Sequence, residues 1–248
     1  MAAIAGEAED WRAQLKRDGY ALFPRLCPER LVAAARTAID RDLAENFDPA
    51  RQLEYDHRSY CPGLRSAPPL MALLLESGIV EKIDAVLGFD GLGYNAAQIA
   101  LRHAGRATRK LPVRPHIDGL STALNGVPAD LPVSNFTALV GVYLSPARTE
   151  YAGNFTVWPG SHLVLERYFR KRGVECLRRG MPHIPLGRPV QLMSEPGDVL
   201  LAHYQLAHSW AANLSDIDRY AIYFRLWFKD IEEHRFEFMT DIWRGWQI

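Results

Sequence analysis

The sequence predicts a mainly β domain with covering helices, and two observations favour this fold class. The first ninety residues carry apolar side chains at helical spacing. From Tyr94 onward, short segments rich in Val, Tyr, Phe and Thr are separated by Gly, Pro, Asn and Asp, as is typical of strands and turns. We expect a single domain over 1–248, because mainly β folds of about 250 residues commonly form one unit.

Helices are expected throughout the N-terminal part, residues 1–90. Behind Pro28, apolar residues recur every four positions, which predicts an amphipathic helix: Leu31, Ala35, Ile39 and Leu43. A second helix is expected from Pro69 to a stop near Gly78, and a third from Ile79 to about Gly88. These helices are the natural cover for the sheet that follows them.

Two segments of the expected core, residues 94–229, alternate as strands do. In 135–144 one set of alternate residues is purely apolar: Phe136, Ala138, Val140, Val142 and Leu144. In 217–228 one face is apolar and the other contains polar groups: Tyr220, Ile222, Phe224, Leu226 and Phe228 against Arg219, Ala221, Tyr223, Arg225 and Trp227. We expect one face of the sheet to lie under the helices and the other to face a cavity that needs polar groups.

The remaining segments are expected to be peripheral. Residues 230–248 form a C-terminal extension, and two basic stretches, Arg102–Arg114 and Arg167–Gly180, are interpreted as exposed insertions. The short run of arginines and a lysine at Arg167–Arg172 is compatible with an anionic substrate, but such a run usually forms a solvated face.

Composition excludes several classes of protein. Twenty-nine basic residues balance twenty-nine acidic ones, so neither nucleic acid nor an anionic membrane surface is an expected partner. The longest apolar runs, such as Ala138–Leu144, are far shorter than the ~20 residues that span a bilayer. The apolar start, Met1–Gly6, is too short for a signal sequence, and the three widely spaced cysteines suit reduced thiols. We therefore predict a cytoplasmic protein.

A candidate metal site begins with His116 and Asp118. Residues two apart on a strand point the same way, so an imidazole and a carboxylate here can meet one ion. A distant second imidazole would complete a facial triad of the kind that binds iron(II) with open coordination positions. His-x-Asp alone is a weak signal, and the rest of the sequence has to supply the third ligand.

His208 is the preferred third ligand, and His203 in the same strand region is the rival. A Pro-Gly-Asp turn at 196–198 leads into a buried strand, and His208 stands shortly after that strand. Arg219 follows on the returning strand, where its planar guanidinium suits a carboxylate and favours a dicarboxylate cosubstrate. Arg225 shares the face of Arg219, and its role is left open between cosubstrate contact, substrate contact and support of the site, with Arg219 preferred for the cosubstrate.

These residues resemble the phytanoyl-CoA dioxygenase family. The resemblance rests on His116–Asp118, the Gly153–His162 segment, the Pro-Gly-Asp strand, and His208 with Arg219 eleven residues later, in this order and spacing. It also includes the N-terminal segment Arg17–Pro24 and covers roughly residues 10–229. The resemblance implies a double-stranded β-helix (a jelly-roll, cupin-like fold) that uses iron(II), 2-oxoglutarate and molecular oxygen.

The same resemblance implies roles for further residues. Gln98, Asn135 and Thr137 correspond to positions where family members often contact the cosubstrate. Asp118 occupies the position where halogenating relatives have a small residue, so hydroxylation or a related oxidation is expected. The alternatives are a cupin-like metalloenzyme that does not use 2-oxoglutarate and a non-catalytic binding protein on the same barrel. The expected substrate is a small molecule, with acyl thioesters and natural-product intermediates both compatible, and the oligomeric state is not predicted.

Overall fold

The structure is a computed structural model that describes residues 10–248; the first nine residues of the predicted domain lie outside the described residues. Helices dominate the chain up to residue 90, as the sequence predicts. Their bounds are α1 (Trp11–Asp18), α2 (Glu29–Asn46), α3 (Gln52–His57), α4 (Pro68–Leu75) and α5 (Ile79–Leu87).

The positions of these helices follow from their sequences. α2 buries Leu31, Ala35 and Ile39 on one face, which confirms the predicted amphipathic pattern. α5 lies between two glycines, Gly78 and Gly88, with φ of 80° and 68°. These left-handed conformations interrupt the chain on either side of α5, and glycine adopts them without the strain that a side chain would cause.

The strands form two antiparallel sheets. The larger has the order β1 (Tyr20–Phe23), β7 (Val199–His203), β4 (Ala138–Tyr143), β9 (Arg219–Phe228) and β2 (Leu92–Tyr94), and β3 (Gln98–Arg102) also pairs with β9. The smaller has the order β6 (Val190–Gln191), β5 (Phe155–Val157) and β8 (His208–Trp210). All of these pairings are antiparallel.

The two faces of β9 lie in different environments, as the alternation predicts. Tyr220, Ile222, Phe224 and Leu226 belong to an apolar cluster with the N-terminal helices. Ala221 and Tyr223 belong to a second cluster that lies between the two sheets. The sheet therefore has one face under helices and one face turned toward a cavity.

The prediction for 135–144 is correct only in part. The strand begins at Ala138, and its apolar set from Ala138 to Leu144 packs under the helices. Phe136, predicted to share that face, belongs to the cavity-side cluster and so does Leu139, three residues later. The alternation therefore breaks before the strand begins, because a period of two requires a regular extended backbone.

Of the two predicted insertions, the first is an exposed loop only after residue 104, because Arg102 is the last residue of β3. Residues 105–114, which follow β3, are largely exposed. The segment Arg167–Gly180 instead continues α6 (Ser161–Arg172) into a short 3-10 helix, and it buries Phe169, Val174 and Leu177. The interpretation as an insertion was wrong, because these apolar residues anchor the segment. Its basic side chains do point to solvent.

The C-terminal extension is folded onto the domain. It contains α7 (Glu237–Thr240), and Met239 and Ile242 are buried. Trp243 and Trp246 pack around His203 with ring centroids 5.0 and 5.6 Å away. Across residues 10–248, the structure has no helix that combines the length and apolar character needed to cross a membrane.

Candidate metal centre

His116 and His208 are held side by side by their own backbones. The amide of His116 donates to the carbonyl of His208 at 3.0 Å, and the amide of His208 donates to the carbonyl of His116 at 2.9 Å. This isolated antiparallel bridge places the two imidazole centroids 4.6 Å apart. The bridge therefore fixes the relative positions of two candidate ligands that are ninety-two positions apart in the chain.

Asp118 completes the group. Its Oδ1 lies 3.5 Å from Nε2 of His208 and 3.8 Å from Nε2 of His116. One potential ligand atom from each of the three residues lies within 4.8 Å of the others. The three predicted ligands thus come together at one point, with two imidazole nitrogens and one carboxylate oxygen facing each other.

Gly119 allows the chain to turn immediately after Asp118. Its φ is +83°, and a Cβ at this position would overlap the backbone carbonyl of Ser134. The amide of Ser134 in turn donates to the carbonyl of Gly119 at 2.8 Å, and the Tyr204 hydroxyl donates to the carbonyl of Asp118 at 3.1 Å. The backbone that carries the carboxylate is therefore fixed on both sides.

Each of the two histidines can offer a nitrogen lone pair to a metal. Burial, together with the neighbouring His208, lowers the pKa of His116 to about 4, so this ring is neutral at pH 7. Nδ1 of His208 lies 3.0 Å from the carbonyl oxygen of Leu206, which can only accept. The proton of a neutral His208 therefore sits on Nδ1, and the Nε2 lone pair is directed at the other ligands.

Arg225 holds the second oxygen of Asp118. Its Nε and Nη2 donate to Oδ2 at 3.0 and 2.6 Å, and its Nη1 donates to Oε1 of Gln98 at 2.8 Å. Burial alone would raise the pKa of the Asp118 carboxyl, but Arg225 and then His208 outweigh it and hold that pKa well below its usual range. Oδ1 is thereby left facing the two histidines.

Arg219 lies at the opposite end of the same face of β9. Its Nε donates to the carbonyl of Gly153 at 2.8 Å, and its Nη1 to the carbonyl of Ala100 at 3.2 Å. The side chain is almost fully buried yet lines the cavity that contains the three candidate ligands. A buried cation is thus presented to the interior of the cavity.

The cavity has a volume of about 670 Å³. Its wall combines the candidate ligands with residues that the sequence did not single out for the site, among them Tyr55, Arg102, Phe155 and Trp210. Tyr223, predicted only to share a face with Arg219, also lines it. The Tyr223 hydroxyl lies beside the Arg219 guanidinium, whereas the hydroxyl of Tyr143, which is not part of this wall, is buried without a hydrogen-bond partner among the described residues.

Of Gln98, Asn135 and Thr137, which the resemblance assigns to the cosubstrate, only Gln98 lies in the cavity wall. Gln98 lines the cavity beside Arg225. The amide of Asn135 instead donates to the carbonyl of Arg235 at 2.9 Å, and Oγ1 of Thr137 accepts from the amide of Phe228 at 3.1 Å. Among the described residues, neither Asn135 nor Thr137 belongs to the cavity wall, which follows from the broken alternation before β4.

His203 lies apart from the three ligands. Its Nδ1 accepts from the amide of Gln205 at 2.9 Å, and its Nε2 lies 2.9 Å from the carbonyl of Ile242. Burial, together with the neighbouring His162, lowers the pKa of His203 to about 3. Both of its nitrogens are therefore used within the core, where the ring anchors the C-terminal extension.

Comparison with known proteins relates the chain by fold. No family model and no curated protein matches the sequence. Among solved structures, the chain is similar to SnoK, a non-haem α-ketoglutarate-dependent carbocyclase from nogalamycin biosynthesis, with 20% identity, a TM-score of 0.59, and coverage of 93% of this chain and 91% of that one. It therefore has the fold of that enzyme.

Two further structures give the same result. HygX from Streptomyces hygroscopicus, solved with nickel and 2-oxoglutarate bound, shows 18% identity and a TM-score of 0.60, with 90% of this chain and 88% of HygX covered. The α-ketoglutarate-dependent epimerase SnoN from nogalamycin biosynthesis shows 20% identity and a TM-score of 0.56, with 87% and 80% covered. SnoK and SnoN are described as α-ketoglutarate-dependent, and HygX was solved with 2-oxoglutarate, which is another name for the same compound.

Proposed function

We propose that this chain is a non-haem iron(II)- and 2-oxoglutarate-dependent dioxygenase on a double-stranded β-helix. We further propose that it hydroxylates, or otherwise oxidises, a C–H bond of a small-molecule substrate and releases succinate and CO2. The observation that carries the proposal is the convergence of His116, Asp118 and His208 in one cavity with the buried Arg219.

The donor set fits iron(II). Two imidazole nitrogens and one carboxylate oxygen on one side of an ion form the facial triad of non-haem iron oxygenases, which leaves further positions open. Both imidazoles can offer a lone pair, since burial keeps His116 neutral and the Leu206 carbonyl holds the proton of a neutral His208 on Nδ1. Arg225 holds Oδ2 of Asp118, so that one oxygen is directed at the metal position.

The other end of the cavity fits the distal carboxylate of 2-oxoglutarate. Arg219 supplies a buried guanidinium, and the hydroxyl of Tyr223, which also lines the cavity, supplies a further donor. Burial raises the pKa of the Tyr223 hydroxyl although Arg219 opposes this, so the hydroxyl stays protonated and able to donate. Without an anion in the cavity the buried charge of Arg219 would face it uncompensated, which is costly.

A bound iron(II)–2-oxoglutarate centre supplies oxidative decarboxylation of the cosubstrate coupled to oxidation of a substrate C–H bond. The protein contributes the rest: the triad fixes the ion, Arg219 orients the cosubstrate, and the cavity wall positions the substrate. The presence of Asp118 as a third ligand favours hydroxylation over halogenation.

Small-molecule chemistry suits the size of the cavity. Its volume of about 670 Å³ lies within the range of sites that enclose a drug-sized ligand. HygX has been solved with hygromycin B bound, and SnoK and SnoN belong to nogalamycin biosynthesis, which supports a natural-product substrate here. The basic run Arg167–Arg172 lies outside the cavity wall and gives no support to an acyl thioester.

An anaerobic titration tests the proposal. Protein loaded with iron(II) is titrated with 2-oxoglutarate while the weak visible charge-transfer band of the chelate is recorded. We expect the band in the parent protein and its loss in Asp118→Ala. Arg219→Gln should require about ten to a hundred times more cosubstrate, because hydrogen bonds to a charged group contribute about 1.5–3 kcal/mol.

The exposed Arg167 offers a control, since Arg167→Gln removes the same charge outside the cavity wall and should behave as the parent. A parent protein that binds iron(II) but never forms the band contradicts the proposal. The cupin-like metalloenzyme would then take its place.

A further inference from the structure

The cavity wall carries more positive than negative charge. Its arginines outnumber its carboxylates: Arg58, Arg65, Arg102, Arg219 and Arg225 against Asp56 and Asp118. Asp118 is paired with Arg225, and Asp56 accepts from Arg106 at 2.7 Å and from the Tyr60 hydroxyl at 2.8 Å. With Arg219 assigned to the cosubstrate, Arg58, Arg65 and Arg102 remain as further cations in the cavity wall.

Arg102 is the most unusual of these cations. It lies directly opposite Arg219 in the antiparallel register of β3 and β9, an arrangement of like charges that is unfavourable. The pair is packed closely: a Cβ on Gly153, whose φ is +73°, would lie 2.9 Å from Cβ of Arg102 and 3.2 Å from Cβ of Arg219. Glycine at this position makes room for both arginines.

The guanidinium of Arg102 is incompletely paired. Its Nε is buried without a hydrogen-bond partner among the described residues, and its Nη1 donates to the Leu101 carbonyl at 2.6 Å and lies 3.9 Å from Oδ1 of Asp56. Burial, then the charge of Arg219, lowers the pKa of Arg102 to about 10, so it remains charged at pH 7. A buried cation next to a second cation is stabilised by an anion.

Trp210 packs against both Arg102 and a candidate metal ligand. The guanidinium carbon of Arg102 lies 4.2 Å from the centroid of the ring of Trp210, a residue that is 44% exposed. The ring centroids of Trp210 and His116 are 5.8 Å apart, and all three residues line the cavity. A group bound at Arg102 would therefore lie in the same cavity as the candidate metal ligands.

We propose that Arg102, supported by Trp210, binds a carboxylate of the primary substrate, so that the substrate is a small organic acid. This inference rests on the proposed function, since it assigns Arg219 to 2-oxoglutarate and the neighbouring Arg102 to the molecule that is oxidised. A planar guanidinium whose Nε has no hydrogen-bond partner among the described residues suits a planar carboxylate. In the alternative, Arg102 and Arg219 together bind the distal carboxylate of 2-oxoglutarate.

The test uses a pair of probes that differ only in charge. Protein loaded anaerobically with iron(II) and saturating 2-oxoglutarate is titrated with benzoate or with benzamide, and binding is followed by saturation-transfer NMR of the probe. We expect benzoate to bind at least fivefold more tightly than benzamide. Arg102→Gln should remove this preference, and its dissociation constant for 2-oxoglutarate should stay within twofold of the parent value.

Two further variants make the result specific. Trp210→Leu removes the ring that packs against the Arg102 guanidinium, at a partly exposed position. It therefore tests the same binding site if Arg102→Gln does not fold, and it should weaken the preference for benzoate. Arg167→Gln removes an exposed positive charge outside the cavity and should retain the full preference for benzoate.

Equal binding of benzoate and benzamide to the parent overturns the inference. A tenfold or larger loss of 2-oxoglutarate affinity in Arg102→Gln also overturns it, because the anion would then belong to the cosubstrate. Failure of the parent to bind 2-oxoglutarate contradicts the proposed function instead. In that case the two probes, applied without cosubstrate to the parent and Arg102→Gln, still decide whether this cation selects a carboxylate.

Discussion

The two faces of β9 are stabilised in different ways. One face places Ile222 and Phe224 in the apolar cluster beneath the helices, where neither is exposed. The other face carries Arg219 and Arg225, each of which is held by directional hydrogen bonds to a specific partner. Burial is non-directional and roughly proportional to area, whereas charged groups in a cavity depend on individual contacts.

Because of this difference, we expect the two faces of β9 to affect different properties, the free energy of unfolding and the affinity for ligands. Substitutions on the helical face should change the free energy of unfolding and leave ligand affinity alone. Substitutions on the cavity face should change affinity through the loss of one contact.

The largest expected effect is on the helical face. Phe224→Ala removes a fully buried ring and should lower the free energy of unfolding by about 3–5 kcal/mol, measured by denaturant titration. The exposed Phe236 provides the control, since Phe236→Ala should change stability by less than about 0.5 kcal/mol. If Phe224→Ala also weakened nickel(II) binding to the folded protein by tenfold, the two faces would not be separable.

The next effect is on the cavity face. Arg225→Lys keeps the positive charge but loses the two-point hold on Asp118, so the carboxylate is no longer fixed. We expect the dissociation constant for nickel(II) to rise about 10- to 100-fold, as is typical when a contact that orients a metal ligand is removed. Calorimetric titration of the metal-free protein measures it.

A matched arginine outside the cavity supplies the control for this prediction. Arg148 makes a two-point pair with Glu195 at 2.6 and 2.8 Å, and its side chain is exposed. Arg148→Lys should leave nickel(II) affinity unchanged. Equal affinities of Arg225→Lys and the parent would show that Asp118 does not need this contact.

The smallest effect concerns two buried histidine rings whose pKa values are lowered mainly by burial. Burial lowers the pKa of His162 to about 4 and, together with His162, that of His203 to about 3, against an ordinary value of 6.5. As the pH falls, these histidines therefore bind protons at a higher pH in the unfolded chain than in the folded protein. Stability is complete above pH 6.5 and decreases as the pH falls toward these values, by up to about 1.4 kcal/mol per pH unit for each ring.

His203→Gln should reduce this dependence on pH in metal-free protein, measured as the free energy of unfolding between pH 7 and pH 5. The exposed His183 is the control, because His183→Gln should retain the parent slope. A slope that is unchanged in His203→Gln would mean that the buried ring is not responsible for the acid sensitivity.

The sequence predicts the strand with the longest regular alternation most accurately. All ten residues of β9 follow one period, since the strand is paired on both sides over much of its length. The period fails before β4, where Oγ1 of Thr137 accepts from the amide of Phe228 and the backbone is not yet a regular strand. An alternation of side chains with a period of two residues does not show where the regular strand begins.

The ligands could be predicted because their residue types and spacing carry the chemistry, but their supporting contacts could not. The alternation places Arg225 on the cavity face, yet its partner Asp118 lies in a loop 107 residues earlier. The sequence predicts an exposed loop that begins at Arg102, but the structure shows that Arg102 is the last residue of β3. Such contacts depend on how distant segments pack, which local sequence does not encode.

The most direct test of the account is a crystal structure of the protein prepared anaerobically with iron(II) and 2-oxoglutarate. We predict that the ion is bound by Nε2 of His116, Oδ1 of Asp118 and Nε2 of His208, and that the distal carboxylate of 2-oxoglutarate lies on Arg219. An ion bound by other residues, or a distal carboxylate placed away from Arg219, would contradict the account.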